Sequence, residues 1–188
     1  MRKIPDLGKR CKENLPVYLI LLLISAALVA VDQISKYAVV KYLPKGETVR
    51  AIPYLFNFVY VENKGAAWGM LADKRWIFII VSSVAIVLLA GILLYAARSK
   101  KPLVCSLVLI FAGGIGNMID RIANGYVVDF IQFGFFTSFP VFNAADSFVV
   151  IGGFMLVIYV IFVDRSFLSD KKDKTNGKDE NGKGDASV

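Results

Sequence analysis

Four long apolar runs, Leu15–Val31, Trp76–Ala97, Pro102–Ile119 and Ser147–Val163, constrain this chain more than anything else in it. Each is long enough to cross a hydrocarbon core of about 30 Å at 1.5 Å per residue. Lipid offers no water to peptide groups, so each run must be helical. Of the 188 residues, 56% are hydrophobic, against about 45–50% in soluble domains. The first run follows Arg2, Lys3, Lys9, Arg10 and Lys12, as a cleaved signal peptide would. No A-x-A-like site follows it, however, and apolar character continues through Ile34, Tyr37, Val39 and Val40, so it is read as a retained span. The net charge of +7 sits in termini and turns rather than along one face. That fits membrane flanks better than a nucleic-acid surface.

Charge also gives an orientation. The basic N-terminus, the turn Arg98–Lys101 and the Lys-rich C-terminus fall on one side if there are four spans, and the positive-inside rule makes that side cytoplasmic. Lysines and arginines between the first two spans weigh against this, but the segment Asp120–Asp146 holds Arg121 as its only basic residue. The expected organisation is a basic tail over 1–14, a membrane domain over 15–168 and a disordered tail over 169–188. That last stretch has no aromatic residue from Asp170 onward and little to bury. Outside the membrane, Leu55–Asn63, Tyr126–Phe136 and Pro140–Phe142 are rich in aromatic and β-branched residues and read as strands. Gly65–Leu71 is a short apolar stretch expected to lie along the membrane surface.

Histidine is absent, which excludes His-based serine and cysteine proteases and the H-E-x-x-H metalloproteases. Cys11 and Cys105 set no disulfide framework. The polar residues inside this greasy chain gather at one depth: Asp32 to Lys36 at the end of the first span, Asn117 to Arg121 at the end of the third, and Asn143 to Asp146 at the start of the fourth. Asp129 lies between the last two spans. Polarity concentrated in this way marks a site. Asp129 and Asp146 are the pair suited to acid–base work, since two close carboxyls in a dry place share a proton. Bland roles compete with this. Asp146 and Asn143 suit a helix cap, Asp120–Arg121 and Asp32–Lys36 suit interfacial ion pairs, and Gly113, Gly114 and Gly116 suit close helix packing.

Five motifs occur in order: Asp32-Gln33-x-x-Lys36; Asn63-x-Gly65-Ala66-Ala67-Trp68-Gly69; Gly113-Gly114-x-Gly116-Asn117-x-x-Asp120-Arg121; Gly125-Tyr126-Val127-Val128-Asp129-Phe130; and Phe142-Asn143-x-Ala145-Asp146. Together, from about Asp32 to Val163, the chain resembles the lipoprotein signal peptidases, also called signal peptidase II. Trp68 stands where that family usually has Phe. The resemblance implies an all-α membrane protein of four transmembrane helices with a small extracytoplasmic β-sheet lobe and a short surface helix. It implies a bacterial cell-membrane enzyme that cuts lipid-modified prolipoproteins just before the modified cysteine, with no metal and no organic cofactor. It carries Asp129 and Asp146 over as the catalytic dyad. Asp32, Lys36, Asn63, Asn117, Asp120, Arg121 and Asn143 match positions that support the site or contact substrate.

Other readings explain less. Ser35 and Lys36 are adjacent, so on a helix they point about 100° apart and make a poor Ser–Lys pair. The Gly-x-Gly-Asp of presenilin-like proteases is missing; Gly114-Ile115-Gly116-Asn117 lacks the carboxylate. A proton-coupled transporter would spread ionisable groups through the membrane depth, and a purely structural bundle would need no outer carboxylate cluster.

Overall fold

The computed structural model describes residues 7–65 and 74–163. The surface stretch Gly65–Leu71 lies, after Gly65, outside the described residues, as does the tail Asp170–Val188. Four helices cross the fold: α1 (Leu7–Tyr42), α2 (Arg75–Ala96), α3 (Lys101–Ala123) and α4 (Ala144–Ile158), the last closed by a π-helical turn over Tyr159–Val163. Among the described residues these four are long and apolar enough to span a bilayer. Their outward faces carry Leu22, Leu23, Val87, Tyr95 and Phe154, each more than 60% exposed. Such side chains need lipid rather than water around them.

Helix α3 is the hub, packing against α1, α2 and α4. Pro102 in its first turn forgoes an N–H that had no partner there. At its other end Asn124 donates to the Asp120 carbonyl, and Gly125, at φ +81°, turns the chain into the sheet. Small residues let α3 and α4 approach. A Cβ on Gly113 would collide with the Ala145 carbonyl, and one on Gly152 would lie 2.7 Å from the Ser106 carbonyl oxygen. Near the α2–α3 turn, Leu93, Ala96, Val104, Leu107 and Val108 form an apolar core. The polar groups lie toward the opposite end of the bundle.

At that end sits a three-stranded antiparallel sheet in the order β1 (Thr48–Ile52), β2 (Phe56–Asn63), β3 (Val127–Phe133). Strands β2 and β3 fall where the sequence placed them, trimmed by a few residues. Pro140–Phe142 makes only an isolated bridge, Phe142 to Ile131. Strand β1 was not expected: every residue in it is exposed, so it lacks the alternation that marks a half-buried strand. Helix α1 is also longer than expected. It starts at Leu7, inside the segment read as a tail, and runs ten residues past Asp32. Asp32 and Lys36 therefore lie within the helix, not at its end.

Candidate active site

Local pairing brings distant residues to one place. Phe142 exchanges hydrogen bonds with Ile131 (3.0 and 2.7 Å), which ties the chain to β3 immediately before α4 begins. Asn143 then caps α4. Its side-chain oxygen accepts from the Asp146 N–H at 2.9 Å, while Asp146 Oδ2 accepts from the Asn143 N–H at 3.2 Å, a reciprocal capping box. On β2 an irregularity between Phe58 and Val61 resets the register, so that Val61 faces Asp129 and Asn63 lies two residues further along the same face.

Asp129 is buried and accepts from two amides: Asn63 Nδ2 on Oδ2 at 2.8 Å and Asn143 Nδ2 on Oδ1 at 2.7 Å. Asp146 Oδ1 accepts from Asn117 Nδ2 at 2.7 Å. The two carboxyls are joined through these amides, because Asn143 Nδ2 also donates to Asn117 Oδ1 at 3.1 Å. Burial, and then the negative charge of Asp146, raise the Asp129 carboxyl from its ordinary 3.8 to about 7; the two amides and Lys36 pull it back only in part.

Beneath this pair lies an ionic cluster with almost no solvent exposure. Lys36 Nζ contacts Asp32 Oδ2 at 2.9 Å, Asp120 Oδ2 at 3.0 Å and Asn117 Oδ1 at 3.1 Å. Buried charges survive only when their remaining valences are filled, and here they are. Asp32 Oδ1 accepts from the Ala145 N–H at 2.9 Å and Asp120 Oδ2 from the Val128 N–H at 3.0 Å. The cluster thus pins α1, α3, β3 and α4 to one another. The Asp32–Lys36 pair forms as its i,i+4 spacing suggests, but in the interior rather than at an interface. Asp120 pairs with Lys36 and not with Arg121. Arg121 instead lies over the Phe78 ring, 5.0 Å from its centroid, and reaches the Asn117 carbonyl at 3.4 Å.

All nine residues singled out in the sequence therefore meet in one region. Gln33, which had not been assigned to the site, belongs to it. Its Nε2 lies 3.0 Å from Asp32 Oδ2, 3.1 Å from Asp120 Oδ1 and 3.2 Å from the Gly116 carbonyl. A polar amide beside an intramembrane aspartate was the available signal. Asp129 and Asp146 open onto a cavity of about 650 Å³ whose walls are otherwise mostly apolar, with Phe133, Phe139, Val150 and Ile151 among them. These lining residues carried no motif and were not foreseen.

The family model described as Signal peptidase (SPase) II matches residues 24–162. The lipoprotein signal peptidase of Caldanaerobacter subterraneus subsp. tengcongensis is 43% identical over 145 residues, covering 75% of this chain and 95% of the relative. That of Enterococcus faecalis is 38% identical over 154 residues, covering 82% and 94%. A bacterial membrane enzyme structure obtained by the in meso method at 2.3 Å resolution superposes with a TM-score of 0.68 at 30% identity, over 90% of this chain and 94% of that one.

Proposed function

The chain belongs to the signal peptidase (SPase) II family, and we propose that it is an aspartic endopeptidase that removes signal peptides from bacterial prolipoproteins, cutting just before the lipid-modified cysteine. One observation carries this reading: two carboxyls from different elements are linked through shared amides on the wall of an apolar cavity. Such a cavity suits a substrate presenting an apolar helix and acyl chains. The proposed topology places both termini in the cytoplasm and the dyad near the outer face of the membrane.

In the resting pair Asp129 holds the shared proton below about pH 7. Ionised Asp146 takes a proton from water as the water oxygen bonds to the scissile carbonyl carbon, and Asp129 gives its proton to the carbonyl oxygen. The product of this step is a gem-diol. On collapse the C–N bond breaks, Asp146 passes its proton to the leaving amine of the cysteine, and one diol hydroxyl returns a proton to Asp129. The new carboxylic acid and amine leave the dyad as it began. Asn63, Asn117 and Asn143 hold the two carboxyls in place, and Arg121 presents a cation to the substrate backbone.

The test is cleavage of a lipid-modified prolipoprotein by the purified full chain, read by mass spectrometry with and without a chelator. A cut immediately before the modified cysteine, unaffected by chelation, is expected. Activity that vanishes with chelator and returns with added metal would overturn the mechanism.

A further inference from the structure

Lysine 36 is far too well placed to be only a counter-charge. An ammonium group donates and never accepts, and its three short contacts go to Asp32, Asp120 and Asn117. Asn117 must therefore turn its oxygen, not its NH2, toward Lys36. The same oxygen accepts from Asn143 Nδ2, so the Asn117 NH2 is left facing Asp146 Oδ1. Asn143 is held in the same sense. Its oxygen takes the Asp146 backbone N–H, which likewise only donates, and its NH2 points at Asn117 Oδ1 and Asp129 Oδ1. Two donors, the Lys36 ammonium and Asn143 Nδ2, thus converge on Asn117 Oδ1, while the NH2 groups of the two amides face the two carboxyls.

We propose that Lys36 is a positioning residue that, donating to Asn117 Oδ1 alongside Asn143, fixes which face of the Asn117 amide meets Asp146. Gln33 assists by bridging Asp32 and Asp120, the two carboxylates that hold the ammonium. Without the cation, Asn117 Oδ1 keeps only the Asn143 donor, and the amide is held less firmly against turning its oxygen toward Asp146, where only a protonated carboxyl is tolerated. The shared proton then moves to the wrong partner. This rests on the dyad reading above. The charged groups around Lys36 are Asp32 on its own helix, Asp120 and Arg121 on α3, Asp129 on β3 and Asp146 on α4.

Lys36→Met alone strands two buried carboxylates and is a poor probe, so the variant of choice is Lys36→Met with Asp120→Asn, which keeps the local charge unchanged, compared with Asp120→Asn alone. The full-length purified protein is checked for folding by thermal unfolding, and kcat, KM and the pH profile are measured. The expected result is a kcat at least about tenfold lower, the loss from misdirecting one charge-assisted donor. KM should hold within about threefold and the profile should shift. Adding Asn117→Ala to this background should cost little more, because Lys36 acts through Asn117. A further variant, Asn117→Asp, checked for folding in the same way, keeps an acceptor for Lys36 yet lacks the donor to Asp146; the folded protein should lose at least about tenfold in kcat. Near-normal kcat and an unshifted profile in the charge-balanced variant, fully multiplicative loss on adding Asn117→Ala, or an active Asn117→Asp would each overturn the proposal. Appreciable cleavage by Asp129→Asn in the same assay would instead remove the dyad reading.

Discussion

Burial disfavours the charged form of Asp129. Its carboxyl is raised to about 7, so between about pH 4 and 7 the folded chain holds a proton that the unfolded chain has lost. Stability from this group is full below about pH 4 and is lost as pH rises through 7. At roughly 1.4 kcal/mol per unit the penalty reaches about 4 kcal/mol. Asp129→Asn removes it but turns an NH2 toward one of the two amide donors, a mismatch worth about 1–3 kcal/mol. The variant should therefore melt higher than the parent at pH 8 and not at pH 5, by thermal unfolding in detergent. It should also be inactive. Asp146→Asn retains the acceptor that the capping box needs but turns an NH2 toward the Asn117 NH2, a similar mismatch of about 1–3 kcal/mol, and cleavage by the folded variant should fall as far as with Asp129→Asn, the double variant being little worse than either. Near-normal turnover by Asp146→Asn would reduce that residue to a helix cap. In the parent, the rate should decline on both sides of a maximum, as the pair gains a second proton in acid and loses its last above about pH 7. A rate flat well into the alkaline range would contradict proton sharing.

At the scale of elements, the glycines of α3 make a sharp comparison. A Cβ at Gly116 would lie 2.5 Å from Asp32 Oδ2 and 3.2 Å from the Ala145 Cβ, whereas one at Gly114 would meet Ile86 at 3.5 Å, an ordinary contact. Gly116→Ala should destabilise by about 1–3 kcal/mol and disturb cleavage through Asp32. Gly114→Ala should be neutral or slightly stabilising, because alanine favours helix by up to about 1 kcal/mol. Equal melting temperatures for the two variants would refute this account of the packing. The spans were legible in the sequence to within a few residues, because bilayer thickness dictates the length of an apolar run. The end of α1 was not, since beyond the bilayer a helix has no hydropathy edge to mark where it stops. Asp32, Asn117 and Asp146 stood out as polar residues in apolar surroundings. Asn143 stood out with them and Asn63 lay in a matched motif, but which carboxyl each would meet was not legible: that Asn143 meets Asp129 depends on the Phe142–Ile131 bridge, and that Asn63 does depends on an irregular step in β2. Neither leaves a local pattern in the sequence.

For the whole molecule, the proposed topology has the four spans found among the described residues return both ends to one side, and takes Arg98, Lys100 and Lys101 at the α2–α3 turn as the sign that this side is cytoplasmic. A reporter fused after Ser99 should read as cytoplasmic; an external signal would invert the topology. Truncation after Ser169, beyond the family match that ends at residue 162, should leave turnover intact in detergent; a large loss in a folded protein would give the tail a role in the site. The hydrogen bond from Ala145 to Asp32 joins residues 113 apart in the chain, and this has a bearing on how the protein is made. The first helix enters the membrane long before the last has been translated. Asp32 and Lys36, one turn apart on that helix, are the first members of the cluster to be made. Asn117 and Asp120 join them with the third helix, and Asn143 and Asp146 arrive only with the fourth. On the dyad reading proposed above, a nascent chain therefore lacks one of its two carboxyls until the fourth helix is made, and it cannot cut its neighbours before then.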